Sequence, residues 1–244
     1  MIKSEYLKMY LLEDTHFWFV GKRFFIKTYL DKIKSRISNI LDIGSGTGGA
    51  TKLLDEYGEV VGVEKNPYAR FLARKRGLKI IKGKAEKLPF KNNSFNLVTV
   101  FDVLYHKDIK SVGNVLKEIF RVLKPKGQVL ITDSALSWLN SQHDQFMFSK
   151  RRFSLAEIND LLISQGFSII KSSYIYFFIF PLVFIKRKII DSFHNNDHSD
   201  VFKIPFIINW VLIFILRLEA ILLGLIYLPI GSSIIILAQK NEQK

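Results

Sequence analysis

Residues 41–49 read LDIGSGTGG: an apolar run ends on an aspartate, and glycine then stands at Gly44, Gly46, Gly48 and Gly49. The stretch satisfies G-x-G-x-G through Gly44, Gly46 and Gly48, and G-x-G-x-x-G through Gly44, Gly46 and Gly49. Glycine at this density behind a strand permits a turn that a Cβ would forbid. It also lets a nucleotide approach the main chain closely. The glycines do not say which nucleotide. Asp42, two residues before the first of them, does. A pyrophosphate seated on the following helix N-terminus would meet a carboxylate of its own sign.

A cofactor without phosphate, carrying a positive sulfonium and a positive ammonium, would instead be attracted. S-adenosylmethionine has that chemistry. Glu64 closes the next apolar run, EVVGVE, about twenty residues past the glycines, where an acid accepts hydrogen bonds from ribose hydroxyls. It could equally serve as an acid at the entry of the helix that follows. A nicotinamide-dependent oxidoreductase is the alternative enzyme class that the glycines alone would allow.

Methyl transfer from a sulfonium is an in-line displacement, so the protein mainly positions the acceptor and strips water. A base is needed only where the acceptor must lose a proton. Candidates on the acceptor side are His106 in DVLYHKD, His143 and Asp144 in NSQHDQF, and Arg151 and Arg152 in SKRRFSLAE. All lie in loops expected beyond the carboxyl ends of strands, where open α/β sheets bind ligands. As a plainer alternative, such histidines are solvated and such arginines are surface charges. His194 and His198, with acids nearby, have metal-like spacing, but no apolar framework fixes them and no metal is expected. With no cysteine, thiol catalysis and thiolate metal sites are excluded.

The elements that must position these residues follow from periodicity. Strands are expected over 37–43, 59–64, 78–83, 94–104 and 127–134, with 94–104 apolar almost throughout. Between them lie helices over 47–58, 66–77 (Asn66 as N-cap, Pro67 first) and 110–127, ended by Pro125 and Gly127. A capping box, Ser154 and Glu157, opens a helix over 154–166. FSIIKSSYIYFFIF and GSSIIILAQK read as two further strands. Strands alternating with helices of this length predict an α/β fold with a parallel, doubly wound sheet.

The ordered set LDIGSGTG, VVGVEKN, GKAEKLPF, FNLVTVFDVLYH and LKEIFRVLKPKGQVLITDS, over about residues 37–172, resembles the class I S-adenosylmethionine-dependent methyltransferases. The flanking segments EDTHFWFVGKRFFI and HDQFMFSKRRFSLAEINDLLISQGF resemble the type 11 or type 12 subgroup, whose acceptors are generally unassigned. The resemblance implies a Rossmann-like seven-stranded sheet, S-adenosylmethionine as cofactor, and roles for named residues. Asp42 with the loop Gly44, Ser45, Gly46 and Gly48 would hold the methionine portion, and Glu64 the ribose. Ala85 and Glu86 would line the adenine. Phe101 and Asp102 would stand near the methionine and the reacting methyl. His16, Trp18 and Arg23 would belong to a helix preceding the core that lids the cofactor. Two positions depart from the pattern: Lys84 stands where an acid is usual in G-D-A, and Lys126 where the turn usually reads P-G-G.

The resulting organisation is an N-terminal helical lid (1–36), a cofactor-binding core (37–177), an apolar helical insertion between the last two strands (178–230), and a final strand and tail (231–244). The 244 residues carry a formal net charge of +14, which favours anionic partners. The basic residues are dispersed and no DNA- or RNA-reading motif accompanies them, so nucleic acid is not expected. The acidic start, without an apolar h-region, is not read as a signal peptide, and a cytoplasmic location is expected. IPFIINWVLIFILRLEAILLGLIYLPI is long enough to cross a bilayer, but Arg217 and Glu219 fall in its middle. Each would cost about 2.5–3.5 kcal/mol there, and two residues apart they cannot neutralise one another. The insertion is expected either to cap an acceptor pocket or to lie on the inner face of a membrane. A small-molecule or lipid-linked acceptor follows from the enzyme reading. A catalytically silent, membrane-associated binding module of the same fold remains the other class.

Overall fold

The computed structural model describes residues 2–139, 148–190 and 203–242. Two helices open it, α1 (Lys3–Leu12) and α2 (Phe17–Leu30), and a 3-10 turn, Lys34–Arg36, leads into β1 (Asn39–Ile43). There follow α3 (Gly49–Leu54), β2 (Glu59–Glu64), α4 (Pro67–Lys75), β3 (Ile80–Lys82), β4 (Phe95–Phe101) and α5 (Val112–Val122). Then come β5 (Leu123–Ser134), α6 (Leu155–Ser164) and β6 (Phe167–Ile175). A short helix α7 (Phe180–Ile185) runs on into a π turn, Lys186–Ile190. The last elements are α8 (Phe206–Leu225) and β7 (Ser233–Lys240).

The strands form one seven-stranded sheet in the order β3-β2-β1-β4-β5-β7-β6. The first five are parallel, and β7 runs antiparallel between β5 and β6. Side chains alternate across it with period two. Leu41, Ile43, Val98 and Val100 join α5 and α6 on one face. Ile40, Leu97, Leu130 and Ile235 join α2, α3 and α8 on the other. Helix α2 and the insertion thus cover a face of the sheet together. Phe25, Ile26 and Leu30 of α2 are fully buried there, and truncating Phe25 to alanine would cost about 3–5 kcal/mol. Helices α2 and α8 cross at Gly21, where an added Cβ would lie 2.3 Å from Leu216 Cδ1.

The caps read from the sequence are in place. Asn66 Oδ1 accepts from Tyr68 N and Ala69 N, and Ser154 Oγ accepts from Glu157 N at 3.1 Å. Several boundaries differ. The helix expected over 110–127 stops at Val122, because Leu123 already pairs with Phe95 as the start of β5. Lys126 then turns the chain at φ +61°. The helix expected over 47–58 is only Gly49–Leu54. Strand β6 stops at Ile175, because Tyr176 adopts φ +62°.

Candidate active site

The carboxyl ends of β1, β2 and β4 open into a cavity of about 870 Å³. Its wall opposite the sheet is supplied by the N-terminal helices, through Tyr6, Glu13, Trp18 and Lys22, and by Val183 and Lys186 of the insertion. The site is therefore assembled from segments nearly two hundred residues apart.

The glycine loop is shaped by its torsions. Gly44, Gly46 and Gly48 have φ of +73°, +54° and +92°, a region closed to most side chains. Gly44 also packs so tightly that an added Cβ would fall 2.3 Å from Val103 Cγ2. At Gly46 the nearest atom to an added Cβ is Gly44 O, at 3.9 Å, so the side chain would enter the cavity. This is a cradle that stays open only because no Cβ fills it.

Three acids hold this loop. Asp42 lines the cavity but is only 2% exposed. Thr51 Oγ1 donates to one of its oxygens at 2.6 Å and Thr99 Oγ1 to the other at 2.7 Å. Burial pushes its pKa up to about 6, and the threonine hydroxyls work in the opposite direction. Ser45 Oγ donates to the Asp42 carbonyl at 3.1 Å. Glu64 bridges two turns: Gly46 N donates to Oε2 at 3.0 Å and Asn66 N to Oε1 at 2.7 Å. It thus ties the glycine loop to the entry of α4, as well as lining the cavity.

Sequence reasoning missed the third acid, Glu13. It is buried, and both its oxygens accept from Thr47 Oγ1 at 2.9 Å. Arg76 Nη2 donates to Oε1 at 2.8 Å. Burial raises its pKa, with Arg76 and then Thr47 pulling it back. Lys22 was missed as well. Its ammonium pairs with the Asp102 carboxylate, while Asp102 itself stands at φ +56° and donates its N–H to Thr132 O at 2.8 Å. Glu13 and Lys22 both lie within EDTHFWFVGKRFFI, the N-terminal segment of the subgroup resemblance, in which only His16, Trp18 and Arg23 were given roles.

The other expected residues are distributed unevenly. Ala85, Glu86 and Phe101 line the cavity with Lys84. Glu86 Oε1 also accepts from Ser111 N at 2.8 Å, at the start of α5. His16 and Arg23 line it too. His16 is the N-cap of α2, with Nδ1 accepting from Trp18 N at 3.3 Å. Trp18 stacks on Tyr176 with ring centroids 4.0 Å apart. Arg23 donates to the carbonyls of Glu13 and Asp14. His106 lines the cavity, Nδ1 accepting from Asp108 N at 3.1 Å, and burial lowers its pKa. Arg152 is buried in the wall and donates to Ala135 O at 3.1 Å. Arg151 is not brought to the cavity. Its guanidinium is turned to Ile109 O at 2.8 Å. His143, Asp144, His194 and His198 lie outside the described residues.

A cavity with anionic groups behind its glycine cradle suits a cationic nucleoside without phosphate. Comparison with known proteins agrees. The family described as "Methyltransferase domain" matches residues 41–131. An uncharacterised protein of Methanocaldococcus jannaschii is 29% identical over 66% of this chain and 80% of its own length. The demethylmenaquinone methyltransferase of Lactobacillus johnsonii is 34% identical over 45% of this chain and 49% of its own length, so the chain spans about half of that relative. A solved S-adenosylmethionine-dependent methyltransferase of Thermotoga maritima shares the fold: TM-score 0.59, 21% identity, 98% of this chain and 96% of that one. Residues 41–131 match the methyltransferase-domain family, the chain has the fold of the class I S-adenosylmethionine-dependent methyltransferases, and S-adenosylmethionine is the cofactor of that domain.

Proposed function

We propose that the protein transfers a methyl group to a small, largely apolar acceptor, of a size and polarity that includes lipid-linked molecules. The observation that carries this reading is the composition of the cavity wall beyond β4. Phe17, Trp18, Phe19, Phe101, Tyr105 and Val183 line it, so an acceptor there would be held by apolar contact and would displace water from these side chains. The similarity to a demethylmenaquinone methyltransferase supports an acceptor of that character.

When bound, the cofactor supplies a methyl group already activated on a sulfonium. Gly44, Ser45 and Gly46, with Asp42 behind them, would hold its methionine portion, whereas Gly48, expected to join them, does not line the cavity and faces Leu78 and Ala73 instead. Glu64 would hold the ribose, Ala85 and Glu86 the adenine. Phe101 and Asp102 would stand beside the reacting end. On the acceptor side His16, Trp18, Arg23 and Arg152 shape the wall. His106, which burial favours in its neutral form, would take a proton where the acceptor must lose one by giving up the bond that its Nδ1 accepts from Asp108 N.

Calorimetric titration with S-adenosylhomocysteine and with NAD tests the cofactor site. Binding of the first and not the second is expected, and the reverse would overturn the reading. Label from methyl-labelled S-adenosylmethionine should enter the organic phase of a lipid extract incubated with the protein. Label confined to polar metabolites or to protein would overturn the acceptor class.

A further inference from the structure

Helix α8 carries two unlike faces. Leu216, Glu219, Ala220 and Leu223 are buried against the protein. Opposite them Ile207, Trp210, Val211, Phe214, Leu218 and Ile221 are exposed, at helical spacing. The stripe is continued by Phe206 at one end (81% exposed) and Leu225 at the other (80%). Further apolar side chains are exposed at Leu182, Phe184 and Ile185 on α7, with Trp138 beside them, and at Tyr227 beyond α8. An exposed apolar stripe running the length of a twenty-residue helix marks an interaction site.

We propose that this face docks the protein on an anionic lipid bilayer, with α8 lying in the interface plane rather than crossing it. Three observations select this occupant and this geometry. First, the helix is long and apolar enough to cross a membrane, but its inner face is committed to the protein. The Glu219 carboxylate accepts from Phe177 N at 2.9 Å and Phe178 N at 3.1 Å. Thr28 Oγ1 on α2 donates to Ala220 O at 3.2 Å. A spanning orientation would break these contacts and strip the covered face of the sheet. Second, cations rim the stripe. Lys203 stands just before its start, and the exposed Arg217 follows along the helix. Lys32 and Lys171 reach the carbonyls of Gly224 and Leu223 near its end. Lysine and arginine around an apolar stripe, with Trp210 and Tyr227 on it, suit the headgroup region of an anionic bilayer. Third, the net charge of +14 opposes a second copy on the same face and favours an anionic surface.

The cavity is lined by Val183, Lys186 and Ile204, from the segments that carry or adjoin this surface. An acceptor dissolved in the bilayer would therefore enter beside the docked face. That consequence rests on the methyltransferase reading; the docking does not.

Sedimentation of the 244-residue chain with phosphatidylcholine vesicles, with and without about one third phosphatidylglycerol, tests the proposal. Binding is expected to the anionic vesicles, weakened by salt and released by alkaline carbonate. The triple variant Trp210→Ser, Phe214→Ser, Ile221→Ser should bind at least tenfold more weakly. Its S-adenosylhomocysteine affinity and melting temperature should be retained, because these side chains face away from the cavity and the core. Four results would overturn the proposal: no vesicle binding at any composition; wild-type binding by the triple variant; resistance to carbonate, which would indicate a span; or a vesicle-inert protein that forms a dimer or a protein complex abolished by the same substitutions.

Discussion

Lys22 and Asp102 form an ion pair that joins the second helix to the end of β4, eighty residues later in the chain. The lysine side chain is 9% exposed and the aspartate side chain 31%. The pair is the direct electrostatic tie between the N-terminal helices and the residue expected beside the reacting methyl. Replacing Lys22 with methionine keeps the aliphatic packing and leaves the carboxylate alone in the cavity wall. A fully buried orphan would cost about 3–5 kcal/mol. With the aspartate partly solvated, roughly 1–2 kcal/mol is expected, or a few degrees in Tm by thermal denaturation. Affinity for S-adenosylhomocysteine should fall in the same variant. Unchanged affinity would separate the pair from the cofactor site.

Glu64 accepts from both the glycine loop and the entry of α4. Glu64→Ala should weaken S-adenosylhomocysteine binding at least tenfold, about 1.4 kcal/mol, by calorimetry. Glu64→Gln retains one acceptor oxygen and should lose less. Hydrogen exchange at residues 44–48 should accelerate in the alanine variant, because Gly46 N loses its partner.

The buried acids set a pH dependence. Burial, with the nearby Asp102 charge, pushes Asp133 up to about 8, while backbone N–H groups, including those of Ser134 and Leu104, pull it down. Its folded value is thus above its unfolded one, near 3.8. The folded state holds the proton more tightly, so this group's stabilisation is complete below about pH 4 and is lost as pH rises to about 8. Asp42 adds the same sign, ending near pH 6. Urea melts at pH 5 and pH 8 should show a smaller pH difference for Asp133→Asn than for the wild type.

At Lys126 a side chain is held at φ +61° in the turn of β5. Lys126→Gly should relieve that strain and stabilise the protein by roughly 0.5–1 kcal/mol in urea denaturation, the gain limited by the freer unfolded chain. The exposed contact with Glu242 that is lost is solvent-screened on both sides.

What the sequence disclosed was what is encoded locally. The glycine loop, the caps at Asn66 and Ser154 and the alternation of apolar strands each occupy a few consecutive residues, and each stands where its pattern put it. What stayed hidden depends on distant partners. Glu13 is meaningful only because Thr47 and Arg76 fold against it, and Lys22 only because Asp102 does. The segment 110–127 misled for a related reason: its helical periodicity continues through Leu123, and only the long-range pairing of Leu123 with Phe95 converts it to strand. The apolar insertion was legible as apolar, but which of its faces is covered depends on α2, far away in the chain.

Strand β7 lies between β5 and β6, so β6 has no neighbour to pair with until Ser233 and beyond have been synthesised. A nascent chain must leave the ribosome with an open sheet edge at β5, ending at Ser134, and an unpaired strand at β6, ending at Ile175, until β7 emerges to fill the place between them. Folding is thereby forced late in translation. Until α8 emerges, the apolar face of α2 has no α8 partner, and in that interval the chain is most exposed to aggregation.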